Sequence, residues 1–295
     1  MAGSGAFLSG NPRGKEKLNR GNTLVLGVKE VSMTNFLEDS RVLYSHPKVV
    51  VVNKRVGEAV EGARPGMVDL AMLLRNWLHT QRETLPVSGD PFPVHRLDVP
   101  VSGAVLFGIS REGIARYSSF FAKGLVKKIY WAVVEKPSHP IPEEALLIHR
   151  LEWNRKANKV YAFPVDASVA DPRVGRLQYR IVGSGDRYLF LEIELLTGKH
   201  HQIRAQLAAA GLPVKGDIKY GARRSETGGG IRLHSRLLAF PDPEVVFSQG
   251  TQTSPGHSLS QGPFPMHLSG LPRREIVAPL LTQDSLWEAF LSKVS

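Results

Sequence analysis

Cysteine is absent from the 295 residues, which excludes a disulfide framework, thiolate zinc sites, iron–sulfur clusters and a cysteine nucleophile together. No apolar run approaches the roughly 18 to 20 residues needed to cross a bilayer. The densest, residues 49–52, is strand-sized, so a soluble chain with no membrane partner is expected. There is no Gly-x-Ser-x-Gly elbow and no Gly-x-x-x-x-Gly-Lys-Ser/Thr phosphate loop, so hydrolase and nucleotidase readings lose their usual anchors. Acids are scarce: 27 against 38 Lys and Arg leave a formal charge of +11, an excess that favours a polyanionic partner. What the chain does have is 42% apolar residues, enough for a sizeable core, and fibrous, collagenous and wholly disordered classes are excluded.

Residues 1–40 read as a flexible basic tail or a targeting segment. Glu16 is the only acid before Glu30, and Arg13, Lys15, Lys17 and Arg20 are compatible with a mitochondrial address, the alternative being a cytoplasmic protein with an RNA-touching tail. Residues 41–295 carry the punctuation of a packed domain. Two short strands flank a turn at Pro47, and residues 67–81 place Leu70, Leu73, Leu74, Trp77 and Leu78 at helical spacing. Residues 103–109 form an apolar strand; Ser110 then caps a helix with an Ile114, Tyr117, Phe121 stripe that stops at Gly124. Strands are predicted over 128–135 and, as a hairpin, over 177–182 and 188–196, followed by a helix from about His201 to Ala210 closing on Gly211. Residues 248–270, rich in Gly, Ser, Gln and Pro, read as a flexible insertion through which protein partners can dock. Structure resumes over 274–281, and residues 285–294 form a helix capped by Asp284. Strands outnumber helices and come in hairpins, so the expected class is α+β with a central, mostly antiparallel sheet flanked by helices.

Two segments place charge between apolar stretches: Pro93-Val-His-Arg-Leu-Asp98, and Leu196-Thr-Gly-Lys-His-His-Gln-Ile-Arg204 at a strand-to-helix junction. The second opens a basic patch of eight cations, Lys199, Arg204, Lys215, Lys219, Arg223, Arg224, Arg232 and Arg236, able to hold phosphates. His200, His201 and His234 do not read as a metal site, because adjacent histidines point to different faces of a helix and no acid pattern completes the set. Taken singly, Asp98 reads as a turn residue, Arg204 as solvated and Tyr130 as core.

Read together, the motifs resemble the RluA-type family of RNA pseudouridine synthases. His95-Arg96-Leu97-Asp98 with Ser102-Gly103 is similar to its catalytic loop, and Lys128-Ile129-Tyr130 to its Lys-x-Tyr strand. Leu196 through Arg204, then Gly211-x-Pro-Val-x-Gly-Asp217 and Tyr220-Gly221, resemble its third motif, and Leu233-His234 with Phe240-Pro-Asp-Pro243 the strand that follows. Val99-Pro100-Val101, Arg55, Lys199-His200 and Gln206 depart from the usual pattern, and these changes concern RNA contacts.

The resemblance implies a pseudouridine synthase-like fold with a basic active-site cleft, and an isomerase needing neither metal nor cofactor. Such an enzyme breaks the N-glycosidic bond of one uridine in structured RNA and remakes it through carbon. It further implies Asp98 as the catalytic carboxylate, Arg204 as the guanidinium paired with it, Tyr130 as the ring stacking on uracil and Ile203 as an apolar wall. Arg96 is similar in position to the residue that enters the vacated base stack. The implied partner is ribosomal RNA or a ribosomal assembly intermediate, with transfer RNA the second choice. The alternative is a catalytically weak or inactive RNA-binding assembly factor on the same fold.

Overall fold

The structure is a computed structural model and describes residues 36–63, 67–81, 83, 85, 89–227, 229–248, 270–281 and 284–294. The tail or targeting segment thus lies outside the described residues except for 36–40, as does the insertion except for its end residues 248 and 270.

Among the described residues, one sheet gathers eleven strands. β1 (Val42–His46) and β2 (Val49–Lys54) turn at Pro47 as the sequence predicts, and β2 pairs with β4 (Ser102–Gly108), on which the short β3 (Phe92–Pro93) also lies. β5 (Lys127–Glu135) pairs with β9 (Tyr188–Leu195), β9 with β8 (Val174–Ser184), β8 with β6 (Glu144–Asn154), and β6 with β7 (Lys159–Pro164). β10 (Leu233–Pro241) joins the two groups. It runs antiparallel to β5 on one edge and shares its other edge between β4, the sheet's parallel pairing, and the antiparallel β11 (Arg273–Val277). The sheet therefore forks at β10.

Strand β2, Val-Val-Val-Val-Asn-Lys, is buried on both faces, which is why it is an unbroken β-branched run rather than an alternating one. Val50, Val52, Val105 and Phe107 pack under α1 (Leu70–Thr80), whose Asp69 cap accepts from Met72 N–H at 2.9 Å. Val49, Val51, Ala104 and Leu106 pack under α2 (Arg111–Ala122). Ser110 caps α2 as expected, with Oγ accepting from Gly113 N–H at 3.0 Å, and Gly124 follows at φ 69°. The buried stripe of α2 is Gly113, Tyr117 and Phe120 rather than Ile114, Tyr117 and Phe121. Gly113 is needed because a Cβ there would lie 2.1 Å from the Lys48 carbonyl oxygen. α3 (Gln202–Ala209) rests on β6 and β7 through Ala205, Leu151 and Val160, and Gly211 ends it at φ 74°. After α4 (Pro243–Ser248), α5 (Ser285–Val294) packs Trp287 and Phe290 on Trp131 and Phe190. Asp284 accepts from Leu286 and Trp287 N–H at 3.1 Å, the cap the sequence predicts.

Candidate active site

Asp98 sits in the loop from β3 to β4, at the fork. The carbonyls of residues 98–100 all accept hydrogen bonds. Val101 N–H reaches the Asp98 carbonyl at 3.0 Å, Gly57 N–H the Val99 carbonyl at 2.9 Å, and Ile231 N–H the Pro100 carbonyl at 3.0 Å. Lys54, with 0% exposure, donates Nζ to the carbonyls of Val99 at 3.1 Å and Arg55 at 2.9 Å. Burial pulls its pKa down to about 8 against the raising charges of Glu58 and Asp98. At the other end of the loop His95 accepts from Leu106 N–H at 3.0 Å and stacks on Phe121 at 4.4 Å. Burial and then the Lys128 charge hold its pKa down to about 3, so it is a neutral structural brace. The loop can thus hold a carboxylate still.

The guanidinium of Arg204 comes to Asp98 from 106 residues away, Nη1 donating to Asp98 Oδ2 at 2.8 Å. Its remaining edge binds Asp217 in a fork, Nε to Oδ2 at 2.6 Å and Nη2 to Oδ1 at 2.9 Å. Tyr220 lies under its plane at 4.9 Å. Burial works against the Arg204 cation, yet the bonds and charges of Asp217 and Asp98 outweigh it and raise the pKa. His201 precedes α3 with φ 52°, a left-handed conformation uncommon outside glycine and Asn. That turn aims Nε2 at Asp98 Oδ2, 3.5 Å away, while Nδ1 meets Tyr220 Oη at 2.9 Å. Burial lowers its pKa to about 4 despite the raising Asp98 charge, so it is neutral at pH 7.

Tyr130 stands on β5 opposite Ser235 of β10, 5% exposed. Burial pushes its hydroxyl up to about 12 and the nearby Asp98 charge adds to this, so it remains an O–H at neutral pH. Ile203 is buried in the same apolar cluster as Tyr130. Lys128, two residues before Tyr130 and buried, has its pKa lowered by that burial, and its Nζ is 3.9 Å from where a Cβ would stand on Gly198. Asp98, Tyr130 and Arg204 therefore converge, and Ile203 is buried beside Arg204 on α3. Arg96 does not join them; it is 68% exposed and pairs with Glu61 at 3.2 Å.

The basic patch is smaller than its sequence suggests. Arg204, Lys215, Arg223 and Arg232 are paired with acids, and Arg236 lies over Trp131 at 4.1 Å. Lys199, Lys219 and Arg224 are the members with neither an acidic partner nor a ring contact among the described residues.

The profile of the family described as RNA pseudouridylate synthase matches residues 48–209, more than half of the chain and both halves of the Asp98–Arg204 pair. The chain belongs to this family. It is an RNA pseudouridine synthase, an isomerase acting on RNA. It is 27% identical over 228 residues to the tRNA pseudouridine synthase C of Haemophilus ducreyi, spanning 70% of this chain and 86% of that one. It is 26% identical over 200 residues to the ribosomal large subunit pseudouridine synthase C of Rickettsia conorii, spanning 67% and 62%. The solved human RNA pseudouridylate synthase domain containing 4 shares the fold, with a TM-score of 0.58 at 18% identity over 86% of this chain and 93% of that one.

Three parts of this pseudouridine synthase site escape sequence reasoning. Asp217 and Tyr220 lie inside a quoted motif, but nothing in their spacing says that they bind Arg204. Lys54 looks like an ordinary strand end. The histidine argument fails because His200 and His201 precede the helix rather than lie on it, and the left-handed turn stacks their rings at 4.0 Å.

Proposed function

We propose that Asp98 is the carboxylate that carries the isomerisation of a uridine held in the Tyr130 pocket. The single observation behind this reading is the 2.8 Å bond from Arg204 to an Asp98 whose own carbonyl and the two that follow are hydrogen-bonded. Arg204 sets a permanently charged guanidinium, itself held by Asp217, against that carboxylate. The target uridine must leave its stack to reach Asp98, at a cost of a few kcal/mol. Tyr130 supplies a ring for the extruded uracil and Ile203 an apolar wall, while Arg96, exposed, would have to give up its Glu61 ion pair to enter the gap. The bond from sugar to ring nitrogen breaks, the detached base turns, and a bond to a ring carbon forms; the ring nitrogen gains the proton the carbon loses. The formula is unchanged, as an isomerisation requires.

The RNA is read as ribosomal, a reading supported by the Rickettsia relative's name; the name of the Haemophilus relative, matched over more of its length, supports transfer RNA as the second. Incubating the purified chain with unmodified ribosomal RNA and with a transfer RNA pool, then mapping pseudouridine, separates the two. Asp98→Asn is expected to lose at least about a thousandfold in rate while still binding the same RNA. An active Asp98→Asn enzyme would overturn the assignment, and a wild type that binds RNA but leaves every uridine intact would favour the assembly-factor reading.

A further inference from the structure

A second cluster of ligating atoms meets at Asp98. One such atom from each of Asp98, His200 and His201 lies within 4.8 Å of the other two. The Nε2 of His201 already faces Asp98 Oδ2 at 3.5 Å, and its Nδ1 is held by Tyr220 Oη at 2.9 Å, which is how a metal-bound imidazole is usually oriented. Tyr220 Oη is fixed in turn by Val160 N–H at 2.9 Å. Asp98 makes both its ion pairs through Oδ2; among the described residues Oδ1 accepts no hydrogen bond. Charge also permits a cation. The Arg204 guanidinium is matched by the Asp217 fork, and Asp98 leaves the trio with a net negative charge. His200 is exposed, and a side-chain rotation that gives up its stacking on His201 would bring the donors to the spacing of about 3.3 Å that bonds of about 2.0 Å demand.

We propose that Asp98, His200 and His201 bind a divalent transition-metal ion such as Zn²⁺, and that the bound ion blocks the reaction centre. Two imidazoles and one carboxylate suit zinc, nickel or copper rather than magnesium or calcium. The ion would engage the free oxygen of Asp98 and fill the space a uracil needs. Binding stands on geometry alone; the block rests on the proposed role of Asp98.

Trp153 supplies a reporter, its ring 5.0 Å from His200 and 6.2 Å from His201. Titrating the metal-free full chain with Ni²⁺ should give a saturable partial quench of tryptophan emission that Zn²⁺ competes away. Trp153→Phe should lose that quench yet keep one-to-one binding by calorimetry. His200→Ala and Asp98→Asn, checked for folding by circular dichroism, should weaken Ni²⁺ binding at least about tenfold. Zn²⁺ should inhibit wild-type pseudouridine formation, with EDTA restoring it. No saturable binding below about 1 mM, or unchanged affinity in both variants, would overturn the site. Binding with those losses but no inhibition would overturn the block. A wild type that binds metal and never forms pseudouridine would sink the catalytic reading and leave the metal site standing.

Discussion

Arg204 holds two carboxylates at once, and the two bonds serve different ends. The Asp217 fork is buried, with that acid 2% exposed, whereas Asp98 remains one-fifth exposed. Asp217 therefore fixes the guanidinium, and the guanidinium presents an Nη1 N–H to Asp98. Removing Arg204 would strand a buried negative charge, so Arg204→Ala should destabilise the fold by about 3–5 kcal/mol, read as a fall in the urea midpoint. Arg204→Lys keeps a charge but not the fork, and should recover only part of that stability and little activity. The pairing across 106 residues cannot be read from spacing. The family resemblance supplies it for Asp98, whereas Asp217, buried inside a recognised motif, looks in sequence like any loop aspartate.

The loop from β3 to β4 shows the same division at the next scale. His95 braces it by accepting the Leu106 N–H, which only the neutral ring can do. In the unfolded chain this histidine takes up a proton below about pH 6.5; in the folded chain it resists until about 3. The folded state binds fewer protons between those values, so the contribution is complete above about 6.5 and drains away as pH falls towards 3. Urea unfolding at pH 5 should show a loss against pH 7 of roughly 1–2 kcal/mol from this residue. His95→Gln, which keeps an acceptor, should flatten that dependence. His234, buried and held down to about 4 by its burial, acts in the same direction. Element legibility follows composition. β2, β4, β5 and the β8–β9 hairpin are apolar or β-branched runs with clear turns, and each is predicted within a few residues. β6 is missed because Glu, Ala and Leu in Glu-Ala-Leu-Leu-Ile-His-Arg-Leu-Glu-Trp-Asn are helix formers; cross-strand pairing to β7 and β8 decides its conformation.

For the whole molecule, a net charge of +11 overstates what RNA can feel near the cleft. Four of the eight patch cations are neutralised by acids and a fifth lies over an indole ring. Each phosphate contact lowers the logarithm of affinity by about 0.7–0.9 per logarithm of salt. Lys199→Ala should therefore weaken RNA binding across sequences and make the salt dependence shallower by about one contact. Arg232→Ala should cost stability, through Glu226 and Asp284, and leave the salt slope in place. Filter binding over a salt series distinguishes them.

The fork at β10 sets an order of assembly. Strands β1 to β4 carry Asp98 and strands β5 to β9 lead into the helix that carries Arg204, yet among the described residues the two groups share no ladder except through β10. That joining strand, ending at Pro241, follows both groups in the chain. A ribosome-tethered chain stopped short of it would own both halves of the pair without the means to register them. Newly made enzyme would then stay silent towards RNA until β10 has left the ribosome.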